Sequence, residues 1–415
     1  MDSTYSYPKL RWPLDIRFHS VGEDQALLIR CPLGFSDQPL LLVPAVAPVL
    51  SCFEGSLSFQ QILERFAPDG LTQQTLEELI KLLDQHAFLA NARFFALERS
   101  VRDSFKASEV REPALAGLNY PSSAQELKNL IDGFLVPYDA PKQKRLAGLI
   151  APHIDYQRGS KCYGKIYPRL SESRADTFIL IGTAHQYSRG IFHLCAKDFR
   201  SPLATHRCDT SFISALASRY GVERAFADQF LHRREHSLEL QLPFISRIKP
   251  DAVIAPILVG SFHSMIASDR YPHEWEEYES FAAAVTELIR ERTQQGASFC
   301  FLAGVDMAHV GRAFGDAGSL SPDTMARVAE RDQLYLNAVE AGDKKGLFDH
   351  IAEDYDARRM CGFPTLYTML DVHERLGLKP QCEVVSYDQA VDYSSDCAVT
   401  FAGVAMYAVK LNHLS

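Results

Sequence analysis

The sequence predicts a large α/β domain, a central sheet flanked by helices, preceded by a small α+β module. Three observations carry this reading. At 415 residues the chain is too long for one ordinary compact domain. From about residue 107 onward, short apolar runs alternate with amphipathic stretches long enough to cross over a sheet. The first hundred residues differ, with three short apolar runs followed by two helical patterns.

In the N-terminal module, assigned to residues 1–100, the apolar runs are 14–18, 26–33 and 39–43. Phe59, Ile62, Leu63 and Phe66 fall at helical spacing over 58–66, and Pro68, Asp69 and Gly70 end that helix. Over 72–86, Leu76, Leu79, Ile80 and Leu83 form one stripe with Thr72 as N-cap. Phe88-Leu89 followed by Arg93-Phe94-Phe95 reads as a short hairpin, giving the helix, helix and wing order of a winged-helix module. Eight Lys and Arg stand against 12 Asp and Glu in residues 1–100, which argues against a phosphate-binding face and for docking of protein or peptide. The polar stretch 100–113 reads as a linker.

The second domain, 101–412, has strand candidates at 146–151, 177–183, 252–260, 298–304 and 398–409. Helix candidates lie at 209–220, 275–294, 322–341 and 364–376, the third supported by Pro322 in its first turn. The net charge of −9 and the lack of a basic block exclude nucleic acid as a first expectation. The most apolar stretch, 40–53, is broken by Pro44 and Pro48 and too short to span a bilayer, and the N-terminus lacks a signal pattern. No membrane association and a cytoplasmic location are expected. Nine singly scattered cysteines with no C-x-x-C pair fit reduced thiols.

In an open α/β sheet, ligands bind where loops converge beyond the carboxyl ends of the strands. Here three strand candidates each deliver a histidine just past their end: His153, His185 and His309. Two imidazoles and one anionic donor on one face leave a non-haem metal open positions for chemistry. Cys361 is the candidate donor, because it precedes Pro364 at an expected helix N-terminus and follows Arg358 and Arg359, both of which lower a thiol pKa. On these residues alone, a buried structural thiol competes equally with a functional one. A further reading makes Cys361 a nucleophile with His309 as its base.

The motifs point further. LIAPHIDY at 149–156 resembles the APHAGY segment of the Memo family, and ILIGTAH at 179–185 resembles its ILGPSHH. EHSLELQLPF at 235–244 is similar to EHSIEMHLPY, PILVG at 256–260 recurs unchanged, and VDMAHVG at 305–311 resembles SDFCHWG. PALAGLNYP at 113–121, MCG at 360–362, Ser386-Tyr387 and DCAV at 396–399 match the opening and ending of the family pattern. The resemblance covers 107–412, and the two-part chain most resembles the bacterial branch called AmmeMemoRadiSam system protein B, its first segment being similar to PqqD-like peptide-recognition modules.

This resemblance implies a fold similar to class III extradiol dioxygenases and a metal site whose ligands are His153, His185 and Cys361. It implies iron(II), with copper as the alternative. It also implies a redox or oxygenase-type enzyme acting with radical-SAM and AMMECR-like partner proteins, or else a non-catalytic metal- or peptide-binding adaptor for a radical-SAM enzyme. The chain departs from the family pattern at Ile154-Asp155 (for Ala-Gly), at Gln186 (for a second histidine) and in the position of Pro364. Asp155 is then either an orienting partner of His153 or a solvated turn residue.

Further residues complete the candidate site. Asp306 and His309, three apart, would share a face of one helical turn, with Asp306 fixing the tautomer of an acid/base His309 or simply capping the next helix. Glu235 and Glu239 would lie one turn apart on a helix, with His236 lining the pocket or belonging to a polar face.

Overall fold

Strands that read as unbroken apolar runs need cover on both faces, and the computed structural model supplies it. Residues 3–21, 24–36, 38–139 and 145–408 are described, and the chain divides into two compact units, Met1–Ser108 and Glu109–Ser415.

In the first unit β1 (Asp15–Val21), β2 (Asp24–Arg30) and β3 (Leu40–Leu42) form an antiparallel sheet. Both expected helices follow. Phe59–Phe66 starts with a capping box in which Ser58 and Gln61 satisfy each other's backbone N–H, and Gln73–Gln85 starts on the Thr72 side chain. Phe59, Ile62, Leu76, Leu79, Ile80 and Leu83 bury their side chains with Leu27 and Ile29. The expected hairpin after Phe88 does not form. Asn91 accepts the Phe94 N–H and starts a 16-residue helix, Ala92–Ala107, which also runs through most of the expected linker. The pair Phe94-Phe95 suggested a strand, yet only Phe94 is buried and Phe95 faces outward, as on a helix surface.

In the second unit the strands are β4 (Val110–Arg111), β5 (Arg145–Ala151), β6 (Thr177–Thr183), β7 (Phe192–Leu194), β8 (Asp198–Arg200), β9 (Thr205–His206), β10 (Val253–Val259), β11 (Phe299–Gly304), β12 (His309–Val310), β13 (Gln381–Asp392) and β14 (Cys397–Ala408). The main sheet runs β12-β14-β5-β11-β6-β10-β7, with β13 also paired to β14; β4, β8 and β9 form a small second sheet. The central strands β5, β11, β6 and β10 are parallel, whereas β14 and β7 pair antiparallel at either side. All five strand candidates are present, although Val409 lies outside the described residues. The four helix candidates correspond to Thr210–Tyr220, Glu276–Gln294, Pro322–Ala341 and Phe363–Arg375. The long hairpin partner β13 is an addition.

Residues of Thr210–Tyr220, Glu276–Gln294 and Phe363–Arg375 bury one face of the sheet, with Ile179, Ile181, Ile257 and Val259 in the largest core. Tyr156–Ile166 and His236–Glu239 contact the strands as well. The chain runs from β5 to β6 to β10 and then returns to place β11 between β5 and β6. That reversal creates the crevice at the strand ends where α/β proteins put ligands. No helix among the described residues is long and apolar enough to cross a membrane.

Candidate metal centre

Each of the three strands at the reversal ends in a short polar turn. β5 leads into His153, β6 into His185, and β11 into Asp306. Asp306 Oδ1 accepts the backbone N–H groups of His153 (2.9 Å) and Ile154 (3.2 Å), so one carboxylate fixes the turn after the neighbouring strand. The His153 ring is buried, with Nδ1 3.0 Å from the Gly304 carbonyl oxygen. A proton on Nδ1 donated to that carbonyl leaves Nε2 as a lone-pair donor.

His185 is held by Glu235. Its backbone N–H donates to Oε2 at 2.9 Å and its Nδ1 lies 2.9 Å from Oε1, again freeing Nε2. His236 Nδ1 is 3.1 Å from the same Oε1. The potential ligand atoms of His153, His185 and His236 lie within 4.8 Å of one another. Exposure falls across the cluster, from 37% for the His236 side chain and 28% for His185 to 2% for His153, so the centre opens on one side only. Imidazoles whose second nitrogen is tied to a carboxylate or carbonyl are oriented as metal ligands are.

His236 reaches the centre from a short helical turn, His236–Glu239, laid over the strand ends. Ser237 Oγ donates to the Thr183 carbonyl (2.8 Å), and Gln241 Nε2 donates to the carbonyls of Pro152 (2.9 Å) and Ser237 (3.0 Å). The approach is so close that a Cβ on Gly304 would collide with the Ser237 carbonyl oxygen, which is why a glycine ends β11.

Cys361 Sγ lies 3.3 Å from His153 Nε2 and 3.7 Å from the Asp306 carbonyl oxygen. The loop before it holds three non-glycine residues at positive φ, Tyr355, Asp356 and Arg359, a conformation that persists only where its surroundings impose it. His309 is a principal clamp. Its N–H donates to the Arg358 carbonyl (2.7 Å), its Nδ1 lies 3.1 Å from the Arg359 carbonyl, and its own carbonyl accepts Arg359 Nη1 (3.1 Å). Arg359 Nη2 donates to Asp316 (2.8 Å), and Asp356 Oδ1 accepts the Met360 N–H (2.7 Å).

Several sequence expectations change here. Asp306 and His309 do not share a helical turn, because His309 lies in β12 paired to β14; Asp306 instead binds the His153 turn. Nor does Asp306 cap a helix there. Asp155 is the N-cap of Tyr156–Ile166 and pairs with Arg158, so it is a turn residue and not a partner of His153. Glu235 and Glu239 do lie one turn apart, Glu235 as N-cap and Glu239 as last residue of His236–Glu239, but they have different partners: Glu239 is fully buried and ion-paired to Arg111. The imidazole that reaches the Cys361 sulfur is His153, which takes from the cysteine-hydrolase reading the base it assigned to His309.

The thiol also titrates in the opposite direction to the one its neighbours suggested. Burial pushes the Cys361 pKa well up, and the carboxylates of Asp306 and Glu235 add to the effect. Its two flanking arginines give no help, because Arg358 turns to Asp332, Asp354 and His350, and Arg359 to Asp316. Burial likewise lowers His153, reinforced by His185 and His236, and lowers His309 to about 4. It pushes Asp306 up to about 7 against the His153 N–H bond. Burial would raise Glu235 too, but the His185 and His236 imidazoles hold it well below the usual carboxylate range. For His236 the order reverses: burial would lower it, yet Glu235 with Asp306 and Glu239 raises it. Imidazole nitrogens around a buried thiol are a donor set suited to a borderline or soft divalent cation, which would stabilise the thiolate.

A model of the Memo-like protein family matches residues 111–405, most of the chain. The chain belongs to the Memo-like family. A MEMO1 family protein of Aquifex aeolicus (strain VF5) is 26% identical over 383 residues, covering 92% of this chain and 96% of its own. One of Methanobrevibacter smithii is 27% identical over 299 residues, covering 69% of this chain and 95% of its own, and one of Archaeoglobus fulgidus 23% over 296 residues, covering 71% and 98%. The Aquifex match is longer than the C-terminal unit and so takes in part of the N-terminal one. The archaeal relatives match almost whole over a stretch shorter than the Memo-bearing unit.

Proposed function

We propose that this Memo-like chain holds one mononuclear non-haem metal ion, iron(II) first and copper second, on His153, His185 and Cys361. The observation that supports it is the convergence, at the ends of parallel strands, of three imidazoles within 4.8 Å and a sulfur 3.3 Å from His153 Nε2. Asp306 positions His153, Glu235 positions His185, and His309 holds the Cys361 loop. His236, beside the ligands and in contact with Glu235, is the group placed to give or take a proton from a bound molecule. When bound, iron would supply redox chemistry of the kind used by oxygenases, in keeping with the likeness to class III extradiol dioxygenases.

The organisation of the chain extends the reading. An N-terminal unit ahead of the Memo region suits the AmmeMemoRadiSam system protein B branch, a cytoplasmic protein whose PqqD-like module docks radical-SAM and AMMECR-like partners. An adaptor that binds metal or peptide without turnover is the rival, and a partner pull-down requiring residues 1–108 with no redox turnover would favour it. The three-imidazole cluster also supports a second ligand set, with His236 replacing Cys361.

Elemental analysis of chain purified without oxygen tests both. One equivalent of iron, lost in His153→Ala and in Cys361→Ser but kept in His236→Ala, is the expected result. Loss in His236→Ala with retention in Cys361→Ser would establish the second set, and full occupancy in His153→Ala would end the metal reading.

A further inference from the structure

Two cavities open beside the candidate centre, and their linings differ. The inner one, about 200 Å³, lies against His185 and Cys361 and has apolar walls that include Phe262, Ile266, Phe363 and Pro364. An apolar cavity of ~150 Å³ accepts a benzene ring. The pocket therefore has room for a six-membered ring. Its carboxylate, Asp356, is turned to the Met360 N–H at 2.7 Å.

The outer cavity, about 480 Å³, shares Ala184, His185, Ser261 and His263 with the inner one, so the two adjoin. Its wall is rich in donors. Arg189 is exposed, and among the described residues its guanidinium has no ion-pair partner. The Trp275 indole N–H is buried without a hydrogen-bond partner, and Gln186 and Ser264 add further donors. The acid on this wall, Glu277, already accepts the Ile191 N–H (2.7 Å) and the Tyr220 hydroxyl (2.8 Å). Polar donors beside an apolar pocket fix the orientation of a ligand whose body the pocket accepts, and an unpaired guanidinium matches a carboxylate in shape and charge.

We infer that the two cavities form one binding site for a ring-bearing organic acid, with its ring in the inner chamber beside His185 and Cys361 and its carboxylate at Arg189. This names the substrate class of the centre proposed above, and for any reaction it rests on that reading; binding itself does not.

The chain's two tryptophans make the test direct. Trp12 belongs to the other unit, so Trp12→Phe leaves Trp275, on the cavity wall, as the only indole. Emission of this full-length variant is titrated with phenylacetate, 3-phenylpropanoate and 4-phenylbutanoate, with their neutral amides and with acetate, before and after chelation. The expected result is a saturable change for at least one aryl acid, at least tenfold tighter than its amide or acetate. Arg189→Ala, at an exposed position, should weaken it at least tenfold and Arg189→Lys should restore part. Equal binding of acids and amides, an unaltered Arg189→Ala, or no saturable response from any aryl acid would each overturn the inference. Acid binding in a chain that holds neither iron nor copper would sink only the metal reading, and either metal in a chain that binds none of the acids only this one.

Discussion

Glu239 gives the sharpest test of how the centre is built. Its side chain and that of Arg111 are fully buried and ion-paired. The carboxylate also accepts the Tyr120 hydroxyl (2.6 Å) and the backbone N–H groups of Ala114 (3.0 Å) and Leu115 (2.8 Å). Arg111 in turn donates to the carbonyls of His232 (2.9 Å) and Glu235 (3.1 Å), bracing the turn that carries Glu235 and His236. Glu239→Gln keeps the volume and one acceptor but strands a buried guanidinium, a change that costs ~3–5 kcal/mol. For a domain of this size that corresponds to a fall in Tm of about 5–8 °C. Urea unfolding followed by Trp275 emission in the Trp12→Phe background measures it. The double variant Arg111→Met, Glu239→Met removes the stranded charge but leaves Tyr120 and two amides without their acceptor, at ~1–3 kcal/mol each. It should therefore recover only part of the loss. A Glu239→Gln chain within about 1 kcal/mol of the parent would refute the view that this pair holds the site turn in place.

Two further outcomes follow from buried groups elsewhere. Burial lowers the His232 pKa to about 3, with the Arg111 charge adding to the effect against a hydrogen bond to the His193 carbonyl. Above about pH 6.5 the imidazole is neutral in both states; between about 6.5 and 3 the unfolded chain takes up a proton the folded one refuses. Stability should thus fall with falling pH, by up to ~1.4 kcal/mol per unit and about 2 kcal/mol by pH 5 from this residue alone. A His232→Gln chain with the same slope of unfolding free energy between pH 7 and 5 would exclude it as the source. In the Cys361 loop, Arg359→Ala removes the bonds to His309, Ala357 and Asp316. If those bonds hold the loop shut, losing ~1.5–3 kcal/mol of charged hydrogen bonding should speed alkylation of Cys361 in metal-free chain by about ten- to hundredfold. An unchanged rate would mean that the strained backbone is held by other contacts.

How much of this was legible in the sequence depended on whether the signal was local. Thr177–Thr183 is buried at every position, so its apolar run announced a covered parallel strand. β13 did not announce itself, because its polar residues find side-chain and carbonyl partners in place of an apolar face: Tyr387 donates to Asp332 and Gln389 to the Met325 carbonyl. His153 and His185 were visible as residues just past strand ends. His236 was visible only as a pocket residue, since its place in the cluster depends on a helical turn folded over Gly304. Nothing near Arg111 pointed to Glu239, which contacts it from more than a hundred residues away. At Cys361 local reading failed in sign, since a left-handed Arg359 and the acidic partners of both arginines carry their charges away from the sulfur.

These failures and successes share a cause that bears on how the site works. The three carboxylates nearest the imidazoles are buried and individually satisfied: Asp306 by two backbone amides, Glu235 by His185 and the Ser237 N–H, Glu239 by Arg111, Tyr120 and two amides. Leaving any one of them unpaired would cost more than a typical hydrogen bond returns, and in taking its partners Glu235 sets the His185 ring. The free Nε2 atoms of His153 and His185 are then a consequence of where Gly304 and Glu235 take the Nδ1 protons. The orientation of the rings thus comes from the protein scaffold, and an ion of the kind proposed would meet imidazoles already turned towards it.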